Sequence, residues 1–299
     1  MDLTRTRALL PVVEWRDASP STNAELRDLA EAAARSGSPL PHGTVLLTDA
    51  QTQGRGRLDR GWETPPGQAL AVSVLLRGYG ADSPGDGRAG TADWGELGAG
   101  WLPLIAGSAV QAALQPLFST GARLDAGEAL RVGTKWPNDV HVRDEADAME
   151  GRPGRKLCGI LCELLPDGAA IVGMGVNVLI PEWELPTERA TSLLAAGADV
   201  GGAERLGDPL GADLADLLVA SIATELLRLT ELAAREPEAI RIRAARHSLT
   251  LGTEVRVHLP GDRIVDGRAR RLADDGALVV DLPTGGTLTV NAGDVEHLR

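Results

Sequence analysis

Three arginines, Arg55, Arg57 and Arg60, stand close together in the stretch TDAQTQGRGRLDRGW (48–62) and are spaced by glycines. Glycine lets backbone amides come close to an anion. Arginine grips carboxylate and phosphate through paired N–H bonds. The run is not the dinucleotide fingerprint G-x-G-x-x-G, because Asp59 occupies the last glycine position, and no G-K-[ST] occurs to make a P-loop. Two readings stand: a glycine-arginine loop that binds an anion, or a solvated turn with incidental arginines.

Arginine outnumbers lysine 28 to two, and the two lysines are Lys135 and Lys156. They mark either chance survivors on the surface or places where a compact ammonium is needed and a wide guanidinium is not. Lys135 opens KWPND (135–139), where Pro137 holds the backbone extended and brings a cation, an amide and a carboxylate close together. Such a set suits a nucleotide and its Mg²⁺; a proline turn satisfied by its own Asn138 and Asp139 is the alternative. Lys156 opens a strand in GRKLCGIL, whose Gly159 leaves room for a ligand or another backbone. In VGMGVNV (172–178), Gly173 and Gly175 fall on one face of a strand with Asn177. They make either a floor for something flat or a close sheet-to-helix contact.

The elements that must carry these groups follow from pattern. The 299 residues have a net charge of −12 and 43% hydrophobic content, which gives a globular chain with a real core and argues against non-specific DNA binding. No secretory signal and no long apolar run is evident, so a cytoplasmic, non-membrane protein is expected. Ser21-Thr22-Asn23 is an N-cap cluster before a helix that stops at Gly37. Strands are expected at 43–49, 68–76, 130–136, 139–142, 156–165 and 169–180, with PDG (166–168) as a hairpin turn. A helix of about 17 residues is expected from Trp101, with Trp101, Leu104, Ile105 and Ala112 on its inner face. Two more fill 210–247, the first lined by Leu214, Leu217, Leu218, Ile222, Leu226 and Leu229. Residues 80–95 and 143–154 read as surface loops, the second mobile. Cys158 and Cys162 lie on one strand face about 13 Å apart, too far for a mutual disulfide. From about Thr250 short strands split by PGD, DDG and PTGG read as a small β-barrel. The fold class is α+β, a mixed β-sheet flanked by helices (1–248) with a small C-terminal β-barrel (249–299).

In this order and spacing, STN, QTQGRGR, KWPND, GRKLCGIL and VGMGVNV resemble biotin protein ligase, the monofunctional type without an N-terminal DNA-binding domain. The resemblance covers nearly the whole chain. It implies the catalytic fold shared with lipoate ligases and an SH3-like C-terminal barrel. It also implies an enzyme that uses ATP and Mg²⁺ to activate biotin as biotinyl-5′-AMP. The biotin then passes to a lysine of a biotin carboxyl carrier protein domain, with no DNA partner. Lipoate-type ligase or acyltransferase chemistry on the same fold, and a non-catalytic biotin sensor, are the competing functions.

By motif match the resemblance implies that Ser21, Thr22, Asn23 and Gln51 hydrogen-bond the ureido head of biotin. Gly54, Arg55, Gly56 and Arg57 would fold over biotin and the adenylate. Lys156 would hold the biotin carboxylate and α-phosphate and, with Arg57, be catalytic. Gly159, Gly173 and Gly175 would lie against biotin. Arg57, Arg60, Trp62, Lys135, Asn138, Asp139 and Asn177 would serve ATP, with Asp139 also a metal ligand. Two departures stand out: Asp59 replaces a glycine, and Cys158 an alanine.

Overall fold

The computed structural model describes residues 1–57, 60–62, 65–80, 93–119, 130–259, 261, 263–291 and 294–298. Asp59, most of the expected loop 80–95 and the segment 120–129 lie outside them. The frame is a seven-stranded sheet in the order β1-β2-β5-β9-β8-β7-β6. Its strands are β1 (Val13–Trp15), β2 (Val45–Thr48), β5 (Ala69–Leu76), β6 (Arg131–Lys135), β7 (Asp139–Arg143), β8 (Arg155–Leu164) and β9 (Ala170–Asn177). The edge strand β1 pairs parallel with β2, and every other pair is antiparallel.

Both faces of the sheet are covered, so β2 and β5 are buried along their whole length and read as unbroken apolar runs. One face packs on α2 (Thr22–Arg35): Leu26 and Ala30 meet Leu46, Leu75 and Ile171. The other face holds the main core, built with α3 (Leu102–Ser119) and α5 (Pro209–Arg235). Each fully buried Leu or Val there contributes about 1.5–3 kcal/mol. By length and composition alone, Ala99–Phe118 is apolar enough to cross a membrane, contrary to the sequence reading. It is instead 67% buried inside the fold, as a core helix should be.

Three local expectations, two helix positions and one loop, also need correction. Ala112 is only partly buried and Leu217 is 42% exposed, because each sits at the rim of its helix stripe rather than at its centre. Segment 143–154 contains α4 (Glu145–Met149), whose first turn is capped by Asp144 accepting the Asp147 N–H at 2.7 Å. The ring of His297 then ties its end down through Gly151 O at 3.2 Å. The N-terminal α1 (Thr4–Leu9) has no cap of its own; Asp216 of α5 accepts the backbone N–H groups of Arg5 and Thr6 instead.

After α6 (Pro237–His247), the C-terminal strands are β10 (Glu254–Leu259), β11 (Arg263–Leu272), β12 (Leu278–Asp281), β13 (Thr287–Val290) and β14 (Asp294–His297). They form an antiparallel sheet in the order β13-β12-β11-β10-β14, bent by a bulge between Ala269 and Arg271. The expected closed barrel is not completed among the described residues: β13 and β14 lie at opposite edges and do not pair. Indole N–H groups of Trp101 and Trp136 donate to Asp274 O and Gly276 O, fastening this sheet to the larger one.

Candidate active site

Strand parity decides what faces the cleft at the N-terminus of α2. In β9, Gly173 and Gly175 share the face of Ile171, which packs on α2. In β8 the register slips: Val140 pairs with Cys158 but His141 pairs with Lys156, leaving Leu157 as an extra residue. Strict alternation would put Lys156 with the core residues Cys158 and Ile160. The bulge turns it to the other face, beside Gly159, where a Cβ would sit 3.1 Å from the Lys156 Nζ.

The glycine-arginine stretch is not an irregular loop. It forms a short hairpin of β3 (Gly54–Arg55) and β4 (Gly61–Trp62), closed by Gly56 N donating to Arg60 O at 2.7 Å. The hairpin folds onto the sheet and delivers the Trp62 indole to the glycine floor. A Cβ on Gly175 would collide with that indole, and one on Gly159 would sit 3.0 Å from it. A Cβ on Gly173 would meet the Asn23 amide. The flat objects on the floor are therefore this chain's own side chains. The indole Nε1 is buried without a hydrogen-bond partner, and the Lys156 ammonium lies 5.4 Å from the ring centroid.

The resulting cleft holds a cavity of about 100 Å³ and opens to solvent; the Trp62 indole already fills part of its floor. One end is cationic, with Arg55, Arg57, Arg60 and Lys156 in its lining. Lys156 Nζ stands 2.7 Å from Asp139 Oδ1, and His141 Nε2 is 3.8 Å from Oδ2. Burial alone would raise the Asp139 carboxyl, but His141, Lys156 and Lys135 outweigh it and hold the group well below the usual carboxylate range. Arg57 Nη1 donates to Asn138 Oδ1 at 3.3 Å, and burial lowers the guanidinium's pKa. Arg60 pairs with Asp294 of β14 at 2.5 Å, so the small sheet contributes a carboxylate to the cleft.

The other end is neutral. Ser21 caps α2, and Gln51 Oε1 accepts the Thr22 N–H at 2.9 Å. Ser73 Oγ lies 2.8 Å from Thr22 Oγ1 and 2.7 Å from Asn23 Oδ1. Gly54 is required by close approach, since a Cβ there would stand 2.5 Å from the Gln51 amide nitrogen.

Most of the residues singled out by sequence thus meet in one cleft. Three do not line it. Gly54 is instead packed against the Trp62 carbonyl and the Gln51 amide. Lys135 donates to Val295 O at 2.7 Å and so fastens the small sheet. Asn177 is buried and donates to Thr191 O at 2.8 Å. Asp294 and Ser73 were not foreseen. Asp294 lies in a distant segment with no local signal, whereas Ser73 left one: a hydroxyl in the middle of ALAVSVLL. As a metal ligand Asp139 fits poorly alone, since its carboxylate is already engaged by Lys156. Among the described residues no group of three His, Cys, Asp or Glu is placed to hold a metal.

The family model described as "Biotin protein ligase C terminal domain" matches residues 250–298. The biotin–[acetyl-CoA-carboxylase] ligase of Mycobacterium tuberculosis is 37% identical over 286 residues, 93% of this chain and 86% of that protein. The bifunctional ligase/repressor of Escherichia coli is 31% identical over 181 residues, and the matched stretch spans only 42% of that protein. Among solved structures, biotin protein ligase from Aquifex aeolicus in complex with biotin and ATP superposes with a TM-score of 0.65 at 23% identity, covering 97% of this chain and 100% of that one. With fold, cleft and near full-length kinship in agreement, the chain belongs to the biotin protein ligase family.

Proposed function

We propose that this chain activates biotin with ATP as biotinyl-5′-AMP and transfers the biotin to a lysine of a carboxylase carrier domain. The observation that carries the reading is the polarity of the cleft: a neutral hydrogen-bonding end and a cationic end in one enclosure. The first suits the uncharged ureido head of biotin, the second the carboxylate and phosphates. The M. tuberculosis relative is named a biotin–[acetyl-CoA-carboxylase] ligase, and the A. aeolicus structure is a complex with biotin and ATP.

Bringing a carboxylate to a phosphate costs about 4 kcal/mol per charge pair at 4 Å and an effective dielectric of about 20. Lys156, Arg55 and Arg57 offset that repulsion and stabilise charge at the α-phosphorus. The biotin carboxylate oxygen attacks that phosphorus and pyrophosphate leaves. The carrier lysine amine then attacks the acyl carbon of the mixed anhydride, forming the amide and releasing AMP. A Mg²⁺ carried on ATP, with Asn138 and Asp139 at that end of the cleft, would supply positive charge to neutralise the departing pyrophosphate. Asn138 and Asp139 sit at the nucleotide end, and the hairpin bearing Trp62 closes the cleft against water. The boundary between the catalytic unit (1–248) and the C-terminal unit (249–299) is supported by the span of the family match. Use of ATP and a carrier domain fits a cytoplasmic enzyme.

The test is incubation with biotin, ATP, Mg²⁺ and a biotin carrier domain, read by intact mass and pyrophosphate release. A carrier heavier by one biotinyl group is expected. Preference for lipoate over biotin in the same assay overturns the reading, as does tight biotin binding without adenylate.

A further inference from the structure

Asn23 is held between two acceptors. Its Nδ2 lies 2.8 Å from Glu163 Oε1 and 3.2 Å from Leu161 O. A carboxylate and a carbonyl only accept, so the amide nitrogen must face them, and a flipped amide would set oxygen against both. That orientation leaves Asn23 Oδ1 toward Ser73, which is wholly buried. The amide oxygen also only accepts, so it takes the single Ser73 proton. The Thr22 hydroxyl has one proton and two neighbours, Ser73 Oγ at 2.8 Å and Gln51 Oε1 at 3.2 Å; the shorter contact has no other proton to draw on, so it takes the one from Thr22. Gln51 is oriented separately: its Oε1 takes the Thr22 N–H, which leaves Nε2 as the unspent end. Toward the cleft Thr22 therefore offers only lone pairs, and Gln51 only N–H. Arg27 Nη1, 3.1 Å from Glu163 Oε2, holds the carboxylate in place behind the chain.

We infer that Glu163, which does not line the cleft, is a positioning residue for recognition of the biotin head. Acting through Asn23, Ser73 and Thr22, it fixes an acceptor beside a donor. That pattern matches the N–H/C=O edge of a cyclic urea and opposes a ring that offers N–H at both positions. The inference rests on the ligase reading above and adds to it the device that sets head-group selectivity. Asn23 is in this scheme an organiser: both its amide hydrogens and one lone pair are spent inside the protein.

The test compares biotin with 2-iminobiotin, in which C=NH replaces the ureido C=O, in biotin-dependent pyrophosphate release. Wild type is expected to prefer biotin. Glu163→Gln, which allows the amide of Asn23 to turn, and Ser73→Ala, which cuts the chain, should each raise KM for biotin about tenfold and narrow the preference by a similar factor, with KM for ATP unmoved. Glu163→Asp, still acceptor-only, should keep the preference. Should Glu163→Gln fail to fold, Ser73→Ala decides. An unchanged preference in the variants, or KM for biotin and ATP rising together, overturns the inference while leaving the ligase reading intact. A wild type that makes no biotinyl adenylate overturns the ligase reading first.

Discussion

The Lys156 ammonium lies 2.7 Å from Asp139 Oδ1, and it reaches that carboxylate only because a bulge at Leu157 turns it out of the core face. The pair is mostly buried, with side-chain exposures of 30% and 19%. Each member is therefore needed by the other, whatever its chemical role. Lys156→Ala should lower biotin-dependent pyrophosphate release by about 10²-fold or more. It should also destabilise the fold by a few kcal/mol, because an unpaired buried carboxylate is left behind (about 3–5 for a fully buried pair). Adding Asp139→Asn should return much of the stability and none of the activity. Thermal melts and single-turnover assays on both variants check this; recovery of activity in the double variant would remove Lys156 from the chemistry.

Gly175 exists for the Trp62 indole. Gly175→Ala should push the indole off the floor, since a side chain on a short hairpin yields more readily than a central strand. The expected result is a changed tryptophan emission and a KM for biotin raised about tenfold, with the fold retained. Gly207→Ala, where nothing lies within 4 Å of the added methyl, is the control and should change neither reading.

The hairpin is held to the C-terminal sheet by Arg60 and Asp294. Burial opposes ionisation of Asp294, but Arg60 and Lys135 prevail and keep the carboxyl below its ordinary range. Arg60 is well exposed, so a double-mutant cycle of Arg60→Ala and Asp294→Ala on melting temperature should show coupling below about 1 kcal/mol that fades in high salt. Release of biotinyl-5′-AMP should quicken in Arg57→Ala. Unchanged off-rates there would refute the hairpin as a clamp.

His42 supplies an acid limb to the stability curve. Its Nδ1 accepts the Arg77 backbone N–H at 3.0 Å, so the folded form needs that nitrogen bare. Burial and the Arg77 charge lower its pKa from 6.5 to about 4. Below 6.5 the unfolded chain binds the extra proton first, so stability should be full above that pH and fall steadily down to about 4. The loss is at most about 3 kcal/mol. His297, also lowered to about 4 by burial and Lys135, acts in the same direction. Denaturation midpoints across this window check it; His42→Asn should flatten the slope.

How much of this was legible beforehand varies element by element. The helix opened by Ser21 and the buried strands at 43–49 and 68–76 follow from capping chemistry and from apolar runs that both sheet faces must cover. Those are local causes, and a chain records them locally. The same holds for α5, whose stripe differs from expectation only at Leu217.

The recognition motifs themselves, and the pairing of a neutral set with a cationic set, were written in the sequence by residue type alone. Their assembly was not. Asp216 caps α1 from some 210 residues away, and Asp294 reaches Arg60 across a similar separation; neither leaves a trace near its partner. Lys156 faces the cleft through one extra residue in a strand, and a period-two reading assigns it to the opposite face. Lys135 and Asn177 have the right chemistry for a ligand, yet Val295 O and Thr191 O claim their protons first. Side-chain type is fixed by the gene, but which partner takes a proton depends on distances set by register and packing, and those are properties of the folded chain as a whole.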